Sequence, residues 1–190
     1  MTKHQLRQEL LARREAISPE NRREYSQKIT HILTSLPQFT VASTIHCYLS
    51  FGTEVETDII RTIAFANGKK VAVPIVEKHS SMLFHRYISV NQEFIRGVWN
   101  IPVPAGNEST PISTADLNLT EHDIIIVPLV GFDRTKHRLG YGKGFYDRFL
   151  RAQQALTIGI GFSVQEEVSG IPFEPHDEVL SMIITENGCW

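Results

Sequence analysis

Four consecutive apolar residues, Ile124-Ile125-Ile126-Val127, stand in the second half of this chain. A strand with one wet face alternates apolar and polar residues. A continuous run of strand length reads instead as a strand covered on both faces, as in a parallel sheet between helices. Thr44 to Leu49, Val71 to Val76, Met82 to Tyr87, Thr157 to Gly161 and Met182 to Thr185 read as further strands. Helical spacing separates them. One helix is expected from Thr2, as N-cap, to about Ala16, with Leu6, Leu10 and Ile17 on one side. Ser18-Pro19 restarts a helix that carries Tyr25, Ile29, Ile32, Leu33 and Leu36 and is ended by Pro37. A third runs from Thr57-Asp58 to about Ala66 with Asn67-Gly68 as its stop, and a fourth from about Gly144 to Ala155. Pro74 removes a donor and predicts an edge position or a bulge. Residues 97–118 hold three of the nine prolines and read as a long surface excursion. The alternation predicts a single three-layer α/β/α domain over residues 1–190, with a mainly parallel central sheet and N-terminal helices (about 2–36) packed on it. Ligands of such sheets collect beyond the carboxyl ends of central strands, which points to residues 129–144.

At 190 residues the chain is long enough for a substantial core, and 42% hydrophobic with 21% charged residues excludes wholesale disorder. No apolar run approaches the length that crosses a bilayer, and no apolar stretch follows the charged N-terminus, so neither a membrane span nor a secretory signal is expected. Two cysteines do not make a disulfide framework, and the expected location is the cytoplasm. The net charge of −2 argues against a general nucleic-acid binder, but it hides an uneven distribution. Residues 1–28 carry seven Lys/Arg against four Glu, and residues 131–151 carry six Lys/Arg against two Asp. Residues 152–190 hold six Asp/Glu and no Lys or Arg. The basic segments can converge on an anion and the acidic tail can offer carboxylates to a cation; solvated faces account for the same numbers.

Gly140, Gly142 and Gly144 alternate just before the expected fourth helix. Glycines permit positive φ and close backbone approach, so successive amides can converge on a phosphate at a helix N-terminus. Arg138 and Lys143 bracket the turn with a bidentate donor and a point charge. The segment is not a Walker A loop, because Gly follows Lys143, nor a dinucleotide fingerprint, because Phe145 stands in the place of the third glycine. A flexible turn is the other reading. Asp147, in the first helical turn, can hold Mg2+ through oxygen or simply complement the helix dipole and pair with Arg151.

The run Arg138-Leu-Gly-Tyr-Gly-Lys-Gly-Phe-Tyr-Asp147, preceded by Pro128 and Gly131-Phe132-Asp133, closely resembles the signature of 5-formyltetrahydrofolate cyclo-ligases, also called methenyltetrahydrofolate synthetases. Lys3-His-Gln-Leu-Arg7, Leu49-Ser50 followed by Glu54, Trp99-Asn-Ile-Pro102 and Asp177-Glu-Val-Leu180 have family counterparts in the same order. The resemblance implies ATP- and Mg2+-dependent closure of 5-formyltetrahydrofolate to 5,10-methenyltetrahydrofolate, with release of ADP and phosphate through a phosphorylated formyl (iminium phosphate) intermediate. It implies that Lys3, Arg7 and the run Arg138, Leu139, Gly140, Tyr141, Gly142, Lys143, Gly144, Phe145 and Tyr146 contact ATP. Arg138 and Lys143 would be catalytic. Leu49, Glu54 and Tyr141 to Phe145 would line the folate site, and Asp147 and Asp177 would hold Mg2+. A carboxylate suits a pterin edge, because its oxygens accept from adjacent ring N–H and amino donors. On this reading Asp147→Asn weakens Mg2+-dependent turnover and leaves folding nearly intact.

Read without the family, Lys3 and Arg7 are solvated helix charges, Leu49 is strand core, Glu54 a loop acid and Asp177 an exposed carboxylate. Trp99 is either a ring that stacks on a ligand or an apolar anchor for the proline-rich excursion. The histidines, His46, His85 and His137 among them, show no paired metal spacing, and Cys47 reads as core. A phosphate-binding regulator without turnover and an isomerase or transferase on a related fold are the competing functions. The family implies a monomer.

Overall fold

The computed structural model describes residues 1–77, 83–106 and 110–190. The helices are α1 (Lys3–Glu15), α2 (Pro19–Thr34), α3 (Pro37–Val41), α4 (Asp58–Ala66) and α5 (Phe145–Arg151). The strands are β1 (Thr44–Cys47), β2 (Lys70–Val76), β3 (Leu83–Ile88), β4 (Phe94–Arg96), β5 (Pro102–Pro104), β6 (Ile112–Ser113), β7 (Ile124–Pro128), β8 (Gly131–Phe132), β9 (Arg138–Leu139), β10 (Leu156–Ile160), β11 (Met182–Thr185) and β12 (Gly188–Cys189). Eight of them form one sheet in the order β12-β11-β10-β7-β1-β2-β3-β6. The inner strands β11, β10, β7, β1 and β2 are parallel, while β12 on one flank and β3 on the other run against them, and β6 pairs antiparallel with β3. The apolar run of β7 lies at the centre, fully buried. This is the expected α/β class with a mainly parallel sheet.

Alternate residues of the strands feed two cores. Ile45, Val71, Ile124, Ile126 and Ile158 pack with Ile29 and Leu33 of α2, Phe39 of α3 and Ile60 of α4 on one face. Ala72, Ile125, Val127 and Ile183 pack with Phe149 and Leu150 of α5 on the other. A third cluster, off the sheet, joins Leu6 and Leu10 of α1 to Val130, Leu139 and Ile171. The chain leaves β1 through α4 toward β2, and leaves β7 through α5 toward β10, in opposite directions along the sheet. The switch point therefore falls between the carboxyl ends of β1 and β7, where a doubly wound sheet opens a crevice.

Two expected caps are present, and other expectations shift. Thr2 caps α1 through a reciprocal capping box with Gln5, and Ser18 caps α2. Pro37 does not end α2, which stops at Thr34; it opens α3 at a position where its missing N–H costs nothing. Pro74 is neither at an edge strand nor at the sheet margin, since β2 lies between β1 and β3. Pairing with β1 stops at His46 opposite Ala72, so Pro74 lies beyond it. The helix expected to reach Ala155 ends at Arg151, because the Leu156 amide bonds the Asp123 carbonyl and draws the chain into β10. Within residues 97–118 the structure places β5, which pairs with the preceding β4 as a two-stranded ribbon, and the short strand β6; residues 107–109 lie outside the described residues, as does Met82, the expected start of β3. Among the described residues no helix is long and apolar enough to cross a membrane.

Candidate active site

A cleft of about 930 Å³ opens at the switch point. Tyr48 and Leu49 come from the end of β1, Pro128 from the end of β7, and Phe51 and Glu54 from the loop before α4. Lys3 and Arg7 reach in from α1, the glycine segment forms one wall, and Trp99, Ile101 and Pro102 of the ribbon line the cleft as well. Asp147 and Asp177 complete the lining, so every residue expected in the site from the sequence meets in this one cleft.

The glycine segment is shaped by its backbone. Gly142 has φ +90° and Gly144, which precedes α5, φ +66°; L residues rarely adopt either. A Cβ at Gly142 would lie 3.2 Å from Nη2 of Arg7. Arg7 in turn donates from Nε to the Gly140 carbonyl at 2.7 Å, so α1 and the segment are joined directly. Upstream, the turn between β8 and β9 is built on Asp133. Burial would raise its carboxyl pKa, but bonds from the Thr135 hydroxyl and the Ile171, His137 and Thr135 amides outweigh that and lower it.

Two ion pairs cross the cleft. The side chain of Arg138 is buried and pairs with Oδ1 of Asp147, and Lys3 Nζ bonds Oδ2 of Asp177 at 2.6 Å. Asp147 does not pair with Arg151, which instead holds Glu178 at 2.9 Å. The Asp147→Asn variant is thus expected to lose stability rather than leave folding nearly intact, since it would leave Arg138 buried beside a neutral group. The Glu178 amide bonds the same oxygen of Asp147, and the Glu174 amide the same oxygen of Asp177. Among the described residues the hydrogen bonds of each carboxylate therefore converge on one oxygen. That donor chemistry fits a hard divalent cation. Nε of Arg138 and the hydroxyl of Tyr146 are buried without a hydrogen-bond partner among the described residues, two donors fit for phosphate oxygens.

At the apolar end Glu54 is buried, and burial pushes its carboxyl up to about 7. The Phe51 amide donates to Oε2 at 3.1 Å and the Tyr141 hydroxyl to Oε1 at 3.0 Å. Leu49 is buried too, but at the strand end that lines the cleft, so it serves the core and the site together. Trp99 is 56% exposed with φ +54°, which removes the anchor reading; Nζ of Lys143 lies 5.6 Å from its ring centre. His46 and His85 meet in the core at 3.0 Å, and His85 meets Thr114. Cys47 is buried, with its thiol pushed up to about 11 by burial.

Sequence reasoning missed three lining or supporting residues. Glu174 and His176 lie with Asp177 in a group whose ligand atoms are within 4.8 Å of one another, and no local pattern marks them. Arg14 of α1 is buried, and its only signal is its place on the stripe of Leu6 and Leu10, four residues farther on.

Residues 1–186 match the model of the 5-formyltetrahydrofolate cyclo-ligase family. The chain is 31% identical to the 5-formyltetrahydrofolate cyclo-ligase of Escherichia coli K12, over 94% of this chain and 97% of that protein. The solved structure of 5,10-methenyltetrahydrofolate synthetase from Aquifex aeolicus superposes with a TM-score of 0.82 at 28% identity, covering 100% of this chain and 92% of that one. That of the Mycoplasma pneumoniae synthetase gives 0.75 at 27% identity, covering 98% and 99%. With fold, glycine segment and cleft in agreement, the chain belongs to the 5-formyltetrahydrofolate cyclo-ligase family of ligases.

Proposed function

We propose that the chain, as a single-domain monomer in the cytoplasm, catalyses the ATP- and Mg2+-dependent cyclisation of 5-formyltetrahydrofolate to 5,10-methenyltetrahydrofolate, with release of ADP and phosphate. The observation that carries this reading is one cleft holding cationic donors from α1 and the glycine segment, two rim carboxylates and a buried carboxylate at its apolar end. The two free cysteines, one buried and one exposed, agree with a reducing compartment.

The N5-formyl group is amide-like and a poor electrophile, and its oxygen is a poor leaving group. Transfer of the γ-phosphoryl group to the formyl oxygen gives an iminium phosphate and ADP. N10 then attacks the formyl carbon, loses its proton, and phosphate departs with the former formyl oxygen. Such chemistry asks a protein for positioning and charge neutralisation. Lys3, Arg7, Arg138 and residues 139–146 hold the nucleotide phosphates, with Arg138 and Lys143 neutralising the charge in transfer. Residues 141–145 also face the folate, and Leu49 and Glu54 take the pterin. Asp147 and Asp177 would hold Mg2+, which when bound neutralises phosphate oxygens.

The test is direct. Protein, 5-formyltetrahydrofolate, ATP and Mg2+ are mixed and the near-UV absorbance of the methenyl product is followed. Product that forms only when ATP and Mg2+ are both present supports the reading; folded protein that forms none overturns it, as does product without ATP.

A further inference from the structure

The folate end of the cleft is held by a residue that does not line it. Arg14, on the inner face of α1, is only 4% exposed, and its guanidinium is tied at three points. Nε donates to Oγ1 of Thr53 at 3.0 Å, Nη1 to the Leu129 carbonyl at 3.3 Å, and Nη2 to the Tyr141 hydroxyl at 3.0 Å. A guanidinium has donors only. The Tyr141 oxygen must accept from Arg14, so the hydroxyl hydrogen is available to donate, and Oε1 of Glu54 is its acceptor at 3.0 Å. Direction is thus imposed along the chain Arg14 to Tyr141 to Glu54.

The consequence lies in the acceptor capacity of Glu54. An ionised carboxylate has about four lone-pair sites, two on each oxygen. Tyr141 uses one on Oε1 and the Phe51 amide one on Oε2, which leaves one site on each oxygen. That is the arrangement a ligand edge with two adjacent N–H donors requires. Resting on the function proposed above, we infer that Arg14 is a positioning residue: through the Tyr141 hydroxyl it orients Glu54 so that one acceptor site per oxygen meets the pterin edge.

The charged and titratable groups facing Glu54 come from every element around it. Arg14 belongs to α1, Tyr48 follows β1, Tyr141 lies in the glycine segment and Tyr146 in α5. Behind it a smaller cavity, which Glu54 also lines, holds Arg22 and Arg23 of α2 with Glu56 and Asp58. Among these Arg14 opposes the burial of the carboxylate, so its removal favours the protonated acid.

The experiment compares Arg14→Met, Tyr141→Phe and the double variant. Arg14→Met is expected to raise the KM for 5-formyltetrahydrofolate about tenfold with kcat within about threefold, and to move the acid limb of the kcat/KM profile upward by about one pH unit. Because Arg14 acts through Tyr141, the double variant should show a folate KM close to that of Tyr141→Phe alone. Additive effects of the two substitutions on KM would overturn the inference, as would an unmoved acid limb. A readout independent of turnover is the titration of Glu54 in ligand-free protein, followed by the carboxyl carbon signal of labelled glutamate. Arg14→Met should raise its midpoint, and an unchanged midpoint overturns the inference even where the parent makes no product. Tyr141→Phe removes one hydroxyl from a partly exposed ring, so it keeps the test open if Arg14→Met does not fold.

Discussion

Glu54 is an acid that the fold keeps from water, and its stability effect has a definite sign. Its carboxyl sits at about 7 in the folded chain against an ordinary 4.5, so between those values the folded state holds a proton that the unfolded state has released. Stability from this group is complete below pH 4.5 and is lost as pH rises through about 7. Relative to Glu54→Gln, the ligand-free parent should lose on the order of 3 kcal/mol between pH 4.5 and 8. Urea unfolding at several pH values measures it, and parallel curves for the two proteins would mean that Glu54 ionises as freely as in water. The two rim carboxylates are equally exposed and differ in the burial of their partners. Asp147 faces an Arg138 side chain that is 5% exposed, whereas Asp177 faces a Lys3 side chain that is 26% exposed. Asp147→Asn should therefore cost about 3 kcal/mol and Asp177→Asn less than about 1 kcal/mol, while both raise the Mg2+ needed for turnover. Equal stability losses would show that the Arg138 pair is as solvated as the Lys3 pair.

Elements carry these residues, and on the proposed function α1 is the one that ties nucleotide and folate ends together. Lys3, Arg7 and Arg14 all ride on it, and Leu10 presses it onto the backbone of β8. A Cβ at Gly131 would lie 2.2 Å from Cδ1 of Leu10, so only glycine permits this seating. Gly131→Ala is expected to cost about 1–3 kcal/mol by overpacking and to raise the KM for both ATP and folate, because one helix moves. A rise in one KM alone would mean that the ends of α1 are positioned separately. How far the elements were legible follows from the same packing logic. The parallel strands show as unbroken apolar runs because both faces are covered, and the glycine segment shows because its backbone needs residues of its own kind. The ribbon of β4 and β5 was not legible, since Phe94 to Arg96 are all exposed and burial imposes no alternation on them. Pro74 misled because edge-like freedom arose from where β1 stops rather than from strand order. Arg14 was missed because the atoms that satisfy it lie 39 to 127 residues away in sequence.

Over the whole molecule, a net charge of −2 conceals a set of ion pairs in and beside the cleft. Lys3 with Asp177, Arg138 with Asp147 and Arg151 with Glu178 each join a cation from one of the two basic segments to a carboxylate, two of them to the acidic tail. Of these cations Lys3 and Arg138 are the ones that would face phosphate oxygens, and Asp147 and Asp177 are the ones that would face the metal. On the proposed function, ligand binding is then an exchange of partners: Lys3 turns from Asp177 to phosphate, and Asp177 is left able to accept the cation. Neither half is favourable alone, because ATP without Mg2+ strands a carboxylate near phosphate and Mg2+ without ATP competes with lysine. ATP and Mg2+ together should raise Tm by more than the sum of their separate effects. Lys3→Met sharpens the point, since it removes a phosphate donor and a competitor for Asp177 at once. ATP should bind this variant about tenfold more weakly, while Mg2+ alone should bind it more tightly than the parent. Thermal-shift titrations with each ligand read the two directions separately, and weakening of both would place Lys3 outside the exchange.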